Sequence, residues 1–452
     1  MSSVRRQNQI AGSSIDLRQQ SPVLSGTNLK FTHQYNQRVI LETVRLKGPL
    51  SRVEISSHTA LSTQTVSNIV ELLLDRGVLQ IGERRSGRRG QPAVEIDLNP
   101  RGGYAIGLHL DRDHMTGVLL DLSGTQHQTI HHEWDFPTPQ EALPVLAEAV
   151  ATLYHSHGVT AEDIWGVGLA LPGPLDVAAG SMVAPPNFPG WDQVPIRDLL
   201  SKEINLPVSL ETDATAAAVG ERWFGHGRDM QDFFYIFFGV GVGGGMILNG
   251  KPYRGAFNTA AMFGHVPVEP YGDRCVCGGR GCLELYISLA SLYEALGSTD
   301  KLERSASAVT QHFMNRDARL MDWLERAADR LAPALVTLEN LLNLEAIIFG
   351  GRLPAPVLDD LLLRVSQRLP DVQMRALQHH PQLLRTHAED RAAALGAATL
   401  PLYDAFTPSD NVISKTPREK LDVQDGVGCV AFAAPLCHRP QSLPSVSILA
   451  NL

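Results

Sequence analysis

The chain has 452 residues, 44% of them hydrophobic and 19% charged, with a formal net charge of −9. That length implies more than one domain. The composition is that of a globular protein, and the lack of any apolar run of about 18 residues excludes a spanning helix. The opening MSSVRRQNQIAGSSIDLRQQ is polar and lacks the apolar core of a signal peptide, so a cytoplasmic location is expected. Five Cys is an odd number, which argues against a secreted disulfide framework. Charge is distributed unevenly. Residues 1–101 carry 14 Lys and Arg against 8 Asp and Glu, a net of +6, leaving −15 on the remainder. A basic front on an acidic body suits a DNA-binding module joined to a ligand-binding or enzymatic domain.

Residues 1–29 are rich in Ser and Gln, show no periodicity and read as a disordered arm. QYNQRVILETVRLKG predicts a helix with Val39, Ile40 and Val44 buried, stopped at Gly48-Pro49. Ser51 and Glu54 form a capping box opening a short second helix to about Ser57. A third helix follows Ser62 as N-cap, buries Val66, Ile69, Val70 and Leu73, and ends at Gly77. VLQIG and AVEIDL predict a hairpin whose basic tip, ERRSGRRGQP, holds Arg84, Arg85, Arg88 and Arg89. Three helices and a basic hairpin make a winged helix-turn-helix over residues 30–100. Its third helix presents Thr63, Gln64, Thr65, Ser67 and Asn68 to base edges or phosphates. The wing arginines would neutralise phosphates or enter the minor groove. A helical protein-interaction domain with a solvated basic loop is the alternative.

Residues 101–407 read as α/β. YAIGLHL, MTGVLLDL and QTIHHEWDF predict an antiparallel meander, followed by a helix over residues 140–155. DIWGVGLALPG is a strand ending in a turn, and LPVSLETDATAAAVGERWFG runs from a strand into an Ala-rich helix. DFFYIFFGVGVGGGMILNG gives two apolar strands about a Gly-rich turn. Residues 284–294 and 318–343 are helical, EAIIFGGRLP is a buried strand, and AALGAATLPLYDAF is the last helix. Residues 408–452, which include Cys429 and Cys437, lose this patterning and read as a weakly ordered tail.

Residues 264–284, GHVPVEPYGDRCVCGGRGCLE, place His265, Cys275, Cys277 and Cys282 in the spacing H-x9-C-x-C-x4-C. Four soft or borderline ligands in a Gly-rich loop suit a structural, tetrahedral Zn²⁺ with no open position. One disulfide is the alternative, but it strands a Cys and the His.

This stretch resembles the zinc signature of the ROK family, named for repressor, open reading frame and kinase. LALPGPLD, NFPGW, ETDATAAAVGE, GVGVGGG and IIFGGRL fall in the family's order, and the resemblance spans residues 35–406. It implies an actin-like, two-lobed ATPase fold, ribonuclease H-like in each lobe. In the repressor branch a winged helix precedes it. ROK kinases phosphorylate a hexose hydroxyl with ATP and Mg²⁺, using an Asp as general base. Asp213 stands at that position. The kinases hold sugar through an Asn and that Asp, a Glu and a His, and the Glu that follows the last zinc Cys. The matching residues here are Thr212, Asp213, Met262, His265 and Glu284, so Thr replaces Asn and Met replaces a Glu. By resemblance His265 serves both the metal and the sugar. Loss of a carboxylate at Met262 favours a more apolar, modified sugar, or a pocket that no longer binds sugar.

The kinase phosphate loop, Asp-x-Gly-Gly-Thr, is matched by His109-Leu110-Asp111-Arg112-Asp113. The metal-directed Asp, the Gly pair and the Thr are gone, and two carboxylates face where polyphosphate would sit. Phosphoryl transfer depends on positioning and charge stabilisation at the phosphates. A non-catalytic protein is therefore expected, with Asp213 a relic or ligand contact. The reading is a transcriptional regulator, a repressor of carbohydrate metabolism or transport. It would bind a double-stranded operator as a homodimer or homotetramer and answer to a carbohydrate effector. The alternatives are an ATP-dependent sugar kinase and a regulator controlled by a protein partner.

Overall fold

The structure is a computed structural model that describes residues 29–85, 93–185, 188–374 and 379–408. The predicted arm up to residue 28, Arg88 and Arg89 of the wing, and the tail with Cys429 and Cys437 lie outside the described residues.

The N-terminal unit is built from α1 (Leu29–Lys47), β1 (Leu50–Ser51), α2 (Arg52–Thr59), α3 (Thr63–Asp75), β2 (Leu79–Arg85) and β3 (Ala93–Leu98). The strands form a small antiparallel sheet in the order β1-β3-β2. Ser51 caps α2 with the expected reciprocal bonds: its backbone N–H donates to Glu54 Oε2 at 2.7 Å, and its Oγ accepts from the Glu54 N–H at 3.3 Å. Ser62 caps α3 by accepting the Thr65 N–H at 3.1 Å. Gly77 takes φ +71°, the left-handed turn that lets the chain leave α3. Two expectations change. Arg84 and Arg85 belong to strand β2, in register with Val94 and Ala93, rather than to the hairpin tip. Residues 50 and 51 add a third strand, because pairing with β3 satisfies backbone that the Gly48-Pro49 turn would leave bare.

The rest is two lobes of one pattern. The first comprises β4 (Tyr104–Leu110), β5 (His114–Asp121), β6 (Gln126–Glu133), α4 (Pro139–His155), β7 (Ile164–Leu171), the ribbon β8 (Leu175–Asp176) and β9 (Ser181–Met182), α5 (Ile196–Ile204) and β10 (Val208–Thr212). Its sheet order is β10-β7-β4-β5-β6. Then come α6 (Asp213–Phe224), β11 (Phe233–Phe238), β12 (Val242–Leu248) and β13 (Lys251–Pro252). α7 (Glu284–Ile287), α8 (Leu289–Leu296), α9 (Ala306–Met314), α10 (Ala318–Leu342), β14 (Ala346–Gly351), α11 (Ala355–Val372), β15 (Gln382–Arg385) and α12 (Ala392–Phe406) complete the chain. The second sheet runs β13-β12-β11-β14-β15. In both sheets a hairpin meander is extended by parallel strands, as an actin-like duplication requires. β11, FFYIFF, is buried at every position because helices cover both of its faces. The helix predicted over 284–294 is broken at Ser288, whose hydroxyl caps α8 instead. α5, α9, α11 and β15 carried no turn or periodicity signal that the sequence reading used.

α6 and α12 lie between the lobes and touch backbone to backbone. A Cβ at Gly396 would sit 1.9 Å from the Ala216 carbonyl oxygen. The winged helix does not hang free. Ile40, Leu41 and Val44 of α1 share one core with Trp223 of α6 and with Leu402 and Phe406 of α12.

Candidate functional site

A cavity of about 280 Å³ opens between the lobes. The first lobe supplies Asp111 and Arg112 from the β4–β5 turn and the edge of β10. The second supplies the 239–244 turn, the 253–262 loop and the start of α7. All five sequence-predicted ligand positions, Thr212, Asp213, Met262, His265 and Glu284, line it.

The side chains are already partly committed. Thr212 is the N-cap of α6: its Oγ1 accepts the Thr215 N–H at 3.3 Å and donates to Thr215 Oγ1 at 2.9 Å. Capping gives this hydroxyl a structural task at the edge of the cavity. Asp213 Oδ1 accepts the Ala214 N–H at 2.6 Å. Burial, and then the neighbouring Asp111 carboxylate, push its pKa up to about 7. Glu284 Oε2 accepts the Val242 N–H at 2.8 Å, leaving its other oxygen for a ligand. Met262 is 40% exposed and, with Tyr253 and Val276, gives the mouth an apolar side.

A pair absent from the sequence reading braces the same wall. Glu211 is buried, and its Oε2 accepts from Arg254 Nε at 2.7 Å and Nη2 at 2.6 Å. Those residues are 43 positions apart, and no local pattern links them.

His265 and three cysteines meet beside this pocket. One ligand atom from each of His265, Cys275, Cys277 and Cys282 lies within 4.8 Å of the others. His265 Nδ1 is 3.7 Å from Cys275 Sγ, and Cys277 Sγ is 3.6 Å from Cys282 Sγ. A disulfide needs about 2.05 Å, so these are free thiols. The knuckle depends on Gly281, at φ +60°, where a Cβ would lie 1.6 Å from the Glu269 carbonyl oxygen. The Gly279 N–H points at Cys277 Sγ from 3.4 Å, as a thiolate favours. Burial pushes the Cys282 thiol up to about 12, so deprotonation there calls for a cation. The donor set fits a metal, with His265 Nδ1 toward it and Nε2 left for the pocket.

At the other end of the cleft lies the β4–β5 turn. His109 precedes it on β4. It is fully buried, neither ring nitrogen has a partner, and burial, then His114, brings its pKa down to about 3. Burial thus keeps this imidazole neutral. Asp113 does not face the cleft as a bare charge. Its Oδ1 bonds His114 Nδ1 at 2.7 Å, and its Oδ2 meets Arg352 Nη1 at 2.5 Å across the lobes. The expectation of simple repulsion is corrected: Arg352, 239 residues away, offsets this carboxylate. The ion pair lines a second pocket that adjoins the cavity at Arg112 and Val240.

On α3, Thr63, Gln64 and Asn68 are exposed, whereas Thr65 and Ser67 are half-buried. Gln64 Nε2 donates to Asn68 Oδ1 at 2.8 Å, and Thr65 Oγ1 lies 2.8 Å from Ser62 Oγ at the cap. Arg52 of α2 pairs with Glu71 of α3 at 3.3 Å, tying the two helices together.

Known proteins of this architecture agree with the geometry. The xylose repressor of Bacillus spizizenii is 28% identical over 374 residues, 82% of this chain and 95% of that protein. The DNA-binding transcriptional dual regulator NagC of Escherichia coli is 24% identical, over 82% of this chain and 93% of its own. Among solved structures, a ROK family transcriptional regulator homologous to the E. coli MLC protein superposes with a TM-score of 0.67 at 21% identity, covering 83% of this chain and 98% of that one. A ROK family glucokinase from Streptomyces griseus, with glucose and AMPPNP, gives 0.57 at 27% identity, covering 66% of this chain and 99% of its own. The family model for ROK matches residues 105–403, about two thirds of the sequence, and with both lobes and the pocket in place the chain belongs to the ROK family.

Proposed function

We propose that this chain is a sugar-responsive transcriptional repressor whose kinase-like domain binds its effector without phosphorylating it. The observation that carries this is the asymmetry of the cleft. The sugar end keeps Asp213, His265 and Glu284, while the adjoining pocket, where the phosphates would sit, is lined by the Asp113–Arg352 ion pair. Relatives named as xylose and N-acetylglucosamine repressors support the same reading.

The effector is a carbohydrate. Glu284 and Asp213 accept its hydroxyls, and Met262 and Tyr253 accommodate an apolar substituent. A structural Zn²⁺ on His265, Cys275, Cys277 and Cys282 holds the loop that carries both His265 and Glu284. Gln64 and Asn68, with Thr63, Thr65 and Ser67 around them, face the major groove. Arg84, Arg85, Arg88 and Arg89 serve phosphates or the minor groove from the wing. A two-fold oligomer would read paired half-sites.

The test has two parts. Thermal shift against D-xylose, N-acetylglucosamine, their phosphates and ATP–Mg²⁺ should show a sugar hit and no ATP hit. The same sugar should release an operator fragment selected from random DNA by the full-length protein. ATP turnover that Asp213→Asn abolishes would instead establish a kinase, a reading favoured by the proximity of that pKa to neutrality.

A further inference from the structure

α6 reaches from the effector pocket to the DNA-binding unit. Its first residue, Asp213, and its cap, Thr212, line the cavity. Ten residues later, about 15 Å along the axis, Trp223 is 2% exposed inside the core of the winged helix. There Arg45 of α1 grips it. The guanidinium lies 4.4 Å over the Trp223 ring, and Nη1 donates to the Trp223 carbonyl at 3.1 Å. Glu42 fixes that guanidinium through two bonds of 2.8 Å. Just beyond α6, Arg228 Nη2 donates to the Arg45 carbonyl at 2.7 Å and the Leu46 carbonyl at 3.2 Å, holding the end of α1.

The two central helices belong to different lobes by their contacts. α12 is set into the first sheet: a Cβ at Gly107 would be 2.0 Å from the Ala394 carbonyl oxygen, and one at Gly168 would be 1.8 Å from that of Ala397. α6 is set into the second sheet: a Cβ at Gly245 would be 2.2 Å from the Ala214 carbonyl oxygen. α6 and α12 meet each other as closely, at the crossing of Gly396 with Ala216, where no side chain separates the helices. A small sliding of packed helices at that crossing changes the angle between the lobes. α1 is fastened to both, to α6 through Arg45 and to the end of α12 through Arg38 Nη1, which donates to the Thr407 carbonyl at 3.1 Å.

We propose that α6 is the coupling rod between the effector pocket and the DNA-reading surface, and that Arg45 is the positioning residue that makes the winged helix follow it. This rests on the repressor reading and deepens it. A sugar that draws the lobes together at Asp213 re-seats Trp223, and α1 turns with it because the Arg45 clamp and the Arg38 tie no longer agree.

The experiment is a double-mutant cycle in the full-length protein. Asp213→Asn and Arg45→Met are measured singly and together for affinity to the selected operator fragment. Sites this far apart are additive unless a shared element couples them. The expected result is a combined effect at least about threefold away from the product of the single effects. Melting temperatures of the same proteins should add. Arg45→Lys, which keeps the stem and charge, replaces Met if that variant does not fold. Effects that multiply within error overturn the coupling alone, because DNA is still bound. Failure to select any DNA overturns the repressor reading, and the coupling with it.

Discussion

At one end of the interlobe cleft, Asp213, His265 and Glu284 line a cavity of about 280 Å³ with their polar atoms free for at least one more bond. At the other end, His109 is buried without a partner, and Asp113 is tied to Arg352. Both ends sit on the same scaffold, and a kinase needs both. Hydroxyl recognition needs only a few acceptors, of the kind that α6 and α7 place here. Phosphoryl transfer needs a cradle of backbone and cation around the phosphates, so the proposed sensor role requires a loss at that end only.

The contrast is easiest to break at the His–Cys loop beside the cavity. Cys277→Ser, or chelation, removes one ligand or the cation from the His–Cys set. A structural zinc contributes about 10 kcal/mol in small domains, so a loss of several kcal/mol of stability is expected in this larger one. Metal analysis with thermal denaturation checks it. Full metal content and an unchanged melting temperature would end the zinc assignment.

Next is the Asp113–Arg352 ion pair at the other end. Arg352→Met leaves Asp113 with only His114, which should cost about 1–2 kcal/mol for this partly exposed pair. The variant should still give no thermal shift with ATP–Mg²⁺, since His109 and the missing glycines remain. An ATP response would show that the ion pair alone blocks the nucleotide.

Asp213 sharpens the comparison by pH. Its pKa is raised from an ordinary 3.8 to about 7, so the folded protein holds this proton more tightly than the unfolded chain. Its contribution to stability is complete below pH 3.8 and is lost as pH rises through about 7. Asp213→Asn should therefore flatten the stability profile over that interval in urea titrations. A profile parallel to the wild type would mean the carboxyl is not perturbed in solution.

The smallest effect belongs to the winged helix. Arg88→Ala should weaken all DNA sequences alike and make the salt slope shallower by about one unit. A change of sequence preference at constant slope would move Arg88 from phosphate contact to base readout.

Legibility followed locality. Ser51 with Glu54, the Ser62 cap, Gly77 and the H-x9-C-x-C-x4-C loop each lie within one short stretch, and the structure forms them as the sequence suggests. The strand β4 and the helix α12 also match their predicted spans to within a residue. α11 buries Val357, Leu358, Leu361 and Val365 in the core it shares with α10, a partner that only the tertiary structure supplies. Arg84 and Arg85 looked like tip residues because charge was read without register; pairing with β3 extends the strand through them.

What the sequence by itself determined is therefore the set of short-range devices: caps, turns, the metal loop, the strand and helix periods, and the family order of motifs. What only the tertiary structure decided is how distant charges are matched. Arg352 answers Asp113, Arg254 answers Glu211, and Arg45 stacks on Trp223, across 239, 43 and 178 positions of chain. Long, flexible arginine side chains carry no periodic signal, and their partners are chosen by which buried carboxylate, carbonyl or ring the fold brings within reach.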